Sequence, residues 1–381
     1  MTAAQWLGIE SELNALARSV ETRLLRAARR HEPELGARNV RALAAEIAQL
    51  ELDSSEAYTF FDTFMDTLTQ RLAPGLGRVL KGCDVLAADA LNRGHPALRL
   101  AGEPVVYLNR GYGAAIRRSN VRIGAAGTNP VPLIQLPYAR LQEKYNLSSL
   151  LHEVGHEALV RLRVKRPLAL AMFRRLRGHA SRETCLRFAQ WSSELGPDFW
   201  AFGCAGAAQA ATGRDVLGLP ARAALTVMPG AVHPPAYLRV LTAFHWCRVA
   251  FGRGPWDDWE REWRSLYPPS DVPRASRAAL SEAEAAIPRA SAVFFDEPLA
   301  PLDGKPLASL FDLELVRPAA LAAQLRGQSD DSPRFAALRP AQQLAVFRLL
   351  RESASASDRR LDHAMTKWLV RLSTRHTRQG E

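Results

Sequence analysis

The chain has 381 residues, 47% of them apolar, and a formal charge of +11 carried almost wholly by arginine, since only five of its fifty basic residues are lysine. That much apolar sequence fills more than one core and excludes a disordered chain. No apolar run reaches about 18 residues and none follows the start MTAAQWLGIESEL, which argues against a membrane span or signal peptide. A cytoplasmic setting is expected, although export by a dedicated secretion machine would leave no such mark.

Cys83, Cys185, Cys204 and Cys247 are widely spaced and form no C-x-x-C pair, so they read as buried thiols and not as a disulfide framework. Arginine clusters at 161–166, 174–177 and 371–378 would suit phosphates. No zinc knuckle, RNA-recognition signature or glycine-lysine phosphate loop accompanies them, and they read as polar helix faces.

In chain order, residues 3–30, 36–52 and 54–72 have helical periodicity with charged outer faces, which predicts an N-terminal helical layer. Turn formers cluster at Asn92-Arg93-Gly94-His95-Pro96, and strand-like sequence begins beyond them. Residues 103–109 and 131–137 read as short strands bounded by Gly, Asn and Pro.

Next comes NLSSLLHEVGHEALVRLR, residues 146–163. Leu147, Leu150, Leu151, Val154, Ala158, Leu159 and Leu162 recur at helical spacing, Asn146 or Ser148 can cap, and Pro137 stands upstream. Inside this helix lies His152-Glu153-Val154-Gly155-His156. Spacing i, i+4 puts both imidazoles on one face, one turn apart and able to share a metal, with Glu153 beside them toward a metal-bound water. H-E-x-x-H on a helix is a zinc-hydrolase signature. A hydrolytic zinc site takes three protein ligands, and Glu194 in WSSELGPDFWA is the candidate third. Asp198, four residues on, can accept a hydrogen bond from the distal NH of a ligand imidazole. Glu183 reads as a surface charge or helix cap. The third segment is His233-Pro234-Pro235-Ala236-Tyr237-Leu238-Arg239.

H-E-x-G-H, then E-x-x-x-D, then H-P-P-x-x-x-R, in that order, resembles the gluzincin peptidases of the HtpX and CAAX-prenyl-endopeptidase type, whose soluble members include BepA-like proteases. The likeness covers about residues 130–245. It implies zinc on His152, His156 and Glu194, Glu153 as general base, Asp198 behind a ligand imidazole, and His233 with Arg239 near the substrate carbonyl. One departure stands out. Gly196-Pro197 separates the two acids where the family's segment is usually helical, and proline disrupts a helix interior. Either the pair straddles a kink, or Pro197 opens a new helix and Asp198 becomes the ligand.

The implied chemistry is hydrolysis of peptide bonds by water that zinc acidifies and Glu153 deprotonates, with His233, Arg239 and Tyr237 as candidate donors to the oxyanion. Zincin-like peptidases lay an edge strand over the cleft. If residues 133–136 form it, an extended peptide adds by backbone hydrogen bonds and selectivity is loose; an internal strand fits the segment equally.

Further on, Trp256, Trp259 and Trp263 lie at helical spacing as core anchors. Pro268-Pro269-Ser270-Asp271 marks a break, and helical patterns follow at 275–286, 317–326, 339–353 and 358–375. Residues 292–303 resemble the acidic strand end of transporter-type ATPases, but without a phosphate-binding loop Asp296 and Glu297 read as loop caps.

The expected fold class is α+β and predominantly helical: a zincin-like metallopeptidase core with a small β-sheet at 97–268, a helical N-terminal region at 1–96 and a helical C-terminal region at 269–381. The expected function is a zinc-dependent endopeptidase acting on protein or peptide substrates. A catalytically silent protein-binding scaffold and an arginine-rich nucleic-acid-binding protein are the competing readings.

Overall fold

The computed structural model describes residues 3–31, 40–99, 103–111, 113–123, 127–325, 332–353 and 358–375. It is mostly helical with one small mixed sheet, a predominantly helical α+β chain. Helices α1 (Ala3–His31), α2 (Val40–Leu72), α3 (Pro74–Leu91) and the single turn α4 (Pro96–Arg99) precede five strands. These are β1 (Val105–Asn109), β2 (Ala115–Arg117), β3 (Arg122–Ile123), β4 (Gly127–Thr128) and β5 (Leu133–Pro137). Then follow α5 (Ser148–Arg161), α6 (Lys165–Leu176), α7 (Arg182–Ala205), α8 (Ala207–Val216), α9 (Ala221–Leu225), α10 (Ala236–Phe251), α11 (Trp256–Leu266) and α12 (Arg277–Asp296). Helices α13 (Pro318–Leu325), α14 (Pro333–Ala337), α15 (Pro340–Glu352) and α16 (Asp358–Arg375) complete the chain.

Helix α2 runs unbroken where two helices, 36–52 and 54–72, are expected; residues 36–39 lie outside the described residues. Asp53 lies within α2, its carboxylate held by Gln49 one turn back and by Arg23 of α1.

The sheet order is β1-β5-β2, with β1 parallel and β2 antiparallel to β5, so residues 133–137 form the central strand and not an edge. Side chains alternate across a strand. Val106, Leu108, Ile134 and Leu136 accordingly face the main core, while Val105, Tyr107 and Leu133 join Ile9, Leu16, Phe60 and Phe64 of α1 and α2 on the other face. An exposed strand edge invites pairing, and the outer edge of β1 is covered. Gln70 accepts from the Leu108 N–H at 2.7 Å and donates to the Leu108 carbonyl at 2.8 Å. Asp84 accepts from the Val106 N–H at 2.7 Å, and Arg71 donates to the Val106 carbonyl. The opposite edge, β2, has no strand beyond it among the described residues.

One continuous cluster of buried side chains runs from Val79 of α3 to Leu372 of α16. This cluster takes residues from both sides of the turns at 92–96 and 268–271, whereas α1 and α2 pack in the smaller cluster on the other face of the sheet. Trp256, Trp259 and Trp263 are buried in the larger cluster, and the four cysteines are buried free thiols. Among the described residues, no helix is long and apolar enough to cross a membrane.

Candidate metal centre

Helix α5 forms because its apolar residues return every three or four positions, and all seven of that stripe are at most 2% exposed. Burying each of its six Leu and Val side chains contributes roughly 1.5–3 kcal/mol, ample to fix the helix against its neighbours. Its start differs from the expected cap. Leu147 occupies the N-cap position without a side-chain bond, while Asn146 accepts from Arg348 at 2.7 Å and donates to Glu143 at 3.2 Å.

The packing of α5 on α7 sets the site. Helix α7 is capped by Ser181, whose hydroxyl accepts from the Thr184 N–H, and continues through Pro197 without interruption. No new helix opens there. Two glycines let the helices approach: a Cβ on Gly155 would stand 2.7 Å from the Pro197 Cα and 2.9 Å from the Trp200 Cβ, and one on Gly196 would stand 2.5 Å from the Leu159 Cδ1. Glu194 and Asp198, one turn apart on α7, thus face His152 and His156, one turn apart on α5.

The resulting geometry is ordered by atom. His152 Nδ1 lies 2.7 Å from Asp198 Oδ1, and His152 Nε2 lies 3.5 Å from Glu194 Oε2. His156 Nε2 lies 3.8 Å from Glu194 Oε1. One ligand atom each from His152, His156 and Glu194 falls within 4.8 Å of the others. Arg239 donates through Nε to Asp198 Oδ2 and through Nη2 to Asp198 Oδ1, both at 2.8 Å. Asp198 is therefore committed to Arg239 and to the outer nitrogen of His152, leaving Nε2 turned toward Glu194.

These residues line a cleft of about 660 Å³ together with Glu153 and His233. The His233 side chain is 63% exposed at the rim, with Nε2 3.4 Å from Glu194 Oε2. Arg239 lines the cleft but is bound to Asp198. Tyr237 is not brought to this site. Its hydroxyl accepts from Arg264 at 3.0 Å and it lines a separate cleft with Tyr267 and Glu284. The reason is helical phase: residues two apart on α10 point about 200° from each other, so Arg239 and Tyr237 cannot serve one cleft.

Several lining groups carried no signal that periodicity could find. Gly113, Ala114, Ala115 and Ile116 bring the edge strand β2 to the cleft. Its following loop is tied to α5 where the Ser119 hydroxyl donates at 2.6 Å to Glu157, which also accepts from Arg161 Nε at 2.7 Å. Arg140 comes from the short turn at 138–141, and Gln209 and Thr212 come from α8. The charged groups singled out elsewhere are engaged: Arg174 with Glu297, Arg175 with Asp296, and Glu183 with Arg187.

The charges interlock. Burial opposes the His152 imidazolium, but the Asp198 carboxylate, by charge and hydrogen bond, and the Glu194 carboxylate raise its pKa to about 9. Burial, reinforced by the charge on His152, lowers His156 to about 3. Asp198 is held well below the usual carboxylate range, since Arg239 and His152 outweigh its burial. Burial pushes the Glu153 carboxyl up, partly offset by His152.

These shifts fix a pH dependence for the metal-free protein. The raised His152 contributes stability that is complete below 6.5, its ordinary value, and is lost as pH rises through about 9. The depressed His156 acts on the other side, its contribution being present above 6.5 and lost as pH falls toward 3. In chelator, the unfolding temperature is expected to peak near pH 6.5 and decline toward pH 9.5; Asp198→Asn should flatten the alkaline decline. A profile level from pH 6.5 to 9.5 contradicts the His152–Asp198 pair.

Comparison with known protein families, with curated proteins and with solved structures finds no match.

Proposed function

We propose that the chain is a zinc-dependent endopeptidase of zincin-like, gluzincin type, with His152, His156 and Glu194 as the metal ligands. The observation that carries this reading is the meeting of H-E-x-x-H with a carboxylate from another helix, with Asp198 seated behind one imidazole. The donor set fits zinc. Two imidazole nitrogens and a carboxylate oxygen suit a borderline-soft divalent ion, and the two imidazoles stand 3.5 and 3.8 Å from different oxygens of Glu194, with one ligand atom of each residue within 4.8 Å of the others.

When bound, such an ion supplies Lewis acidity and acidifies a coordinated water. The remaining work falls to side chains of this chain. Asp198 accepts the Nδ1–H of His152, which fixes the tautomer that leaves Nε2 free to ligate. Arg239 neutralises Asp198 and holds it in place. Glu153, buried on the cleft wall, accepts a proton from the attacking water and returns it to the leaving amine. His233, exposed at the rim, donates to the oxyanion. With β1 covered on its outer side, β2 is the edge on which an extended peptide can be held by backbone hydrogen bonds.

The test is metal titration with a cleavage assay. Wild-type protein is expected to bind one zinc per chain and to cut an unfolded protein such as casein, and both properties should be lost in His152→Ala. Asp198→Asn keeps the shape but removes the negative charge behind the imidazole, and is expected to weaken zinc binding by about 10–100-fold. Zinc affinity indifferent to both substitutions would refute the centre.

A further inference from the structure

The N-terminal helix pair carries apolar surface that the rest of the chain does not cover. Ile9 and Leu16 of α1 and Phe60 and Phe64 of α2 anchor the pair on the sheet. Away from that anchor, over residues 17–29 and 40–52, Ala27 is the one buried side chain among the described residues. Helices in proteins draw most of their stability from packing an apolar face, and this stretch finds little of that packing within the chain. The apolar side chains are nevertheless present. Among the described residues, more of the exposed large ones lie on α1 and α2 than on all the rest of the chain.

On α2 these side chains form a line. At about 100° per residue, Ile47, Tyr58, Phe61 and Met65 fall within about 60° of one another, beside the face on which Phe60 and Phe64 are buried. Leu24 of α1 joins Ile47, Leu50 and Tyr58 of α2 in lining a groove of about 490 Å³, with Glu51 on its wall. Leu24, Ile47 and Tyr58 are 47–68% exposed there. Charge then selects the occupant. On a helix the surface neighbours of a residue are those three and four positions away. For these four apolar residues the neighbours include Glu21, Glu46, Glu51, Asp53 and Asp62, and no Lys or Arg. Arg23, one residue from Leu24, is bound to Asp53. In a chain of net charge +11, the apolar groove is thus rimmed by acids.

We propose that this groove docks a basic amphipathic helix of a partner protein, one whose apolar stripe is flanked by Lys and Arg. The apolar stripe fills the groove between α1 and α2, the mode in which a helix lies along a hydrophobic groove, and the cations meet Glu21, Glu51 and Asp62. A second copy of this chain fits less well, because a two-fold contact through one patch sets acid rim against acid rim. An anionic lipid surface is repelled for the same reason. The groove shares no residue with the metal cleft, so the proposal stands independently of the peptidase reading.

The experiment uses the full chain and three fluorescent synthetic peptides of about 18 residues, long enough to hold a helix once docked. One has Leu at helical spacing with Lys on its flanks, the second has Glu in place of Lys, and the third has the Lys composition in an order that destroys the stripe. The first should bind at least about tenfold more tightly than either of the others, since both the apolar stripe and the cations are needed. Ile47→Ser and Tyr58→Ser should each lower its affinity severalfold without moving the unfolding temperature, because both side chains are exposed. Leu266→Ser, at an exposed leucine on α11, should leave binding unchanged. Glu51→Lys combined with Asp62→Lys should bring the ratio between the Lys and Glu peptides toward one. Equal binding of the three peptides, or affinity that survives Ile47→Ser and Tyr58→Ser, overturns the docking site. A chain that sediments as a dimer and turns monomeric in Ile47→Ser overturns it as well, by giving the groove to a second copy.

Discussion

Glu153→Gln is expected to lower peptide hydrolysis by about 10²–10⁴-fold, the range set by loss of a positioned general base, while the protein still binds one zinc per chain. The substitution is nearly isosteric at a side chain that is 7% exposed, so packing on α5 should persist. It removes only the capacity to accept a proton. Burial already makes the Glu153 carboxylate more basic than a free one, and the nearby Glu194 charge acts in the same direction. Turnover numbers from a quenched peptide, read beside zinc content, separate the two effects. Equal activity in the variant and the wild type would show that Glu153 does not activate water.

Gly155→Ala is expected to damage stability and metal binding together, although alanine is the better helix former by roughly 0.8–1 kcal/mol. The added methyl would lie 2.7 Å from the Pro197 Cα and 2.9 Å from the Trp200 Cβ, and neither atom is the movable tip of a side chain. Carbon contacts settle near 3.5–4.0 Å, so α5 and α7 must separate by about 1 Å. Overpacking of this kind destabilises by about 1–3 kcal/mol, which exceeds the propensity gain. The same separation draws His152 and His156 away from Glu194, and a displacement near 1 Å at a reacting centre costs on the order of 10²-fold in rate. Gly75→Ala is the control. No atom lies within 4 Å of a Cβ there, and stability should be unchanged or raised by up to about 1 kcal/mol. Denaturant unfolding and zinc titration of both variants test the claim; a Gly155→Ala protein as stable and as tight for zinc as the wild type would contradict it.

What could be read in the sequence divides along physical lines. The apolar stripe of α5 is a local, periodic signal, and all seven of its residues are buried. Two C-terminal helices are similarly legible, the pattern at 339–353 corresponding to Pro340–Glu352 and that at 358–375 to Asp358–Arg375, whereas the pattern at 275–286 covers only the first half of Arg277–Asp296. Pro197 misleads because its local effect is overridden by tertiary packing, where its ring rests against Gly155 and the helix continues. The choice between Glu194 and Asp198 was not decidable from spacing. It depends on which carboxylate Arg239 occupies, and that contact spans forty-one residues. Tyr237 and Arg239 are neighbours in sequence, but two residues apart on a helix their side chains lie on opposite sides. Strand β2 has only three residues, too few for alternation to register, and the polar stripe of α8 is hidden in an alanine-rich segment. Both border the cleft, so the ligand helix was legible and the walls around it were not.

Crystals of the zinc-loaded protein measured on either side of the zinc absorption edge test the central claim most directly. A single anomalous peak between the Nε2 atoms of His152 and His156 and the carboxylate of Glu194, with Asp198 on the far side of the His152 ring, is the predicted result. A peak elsewhere, or one that persists at full height after Glu194→Ala, would contradict it.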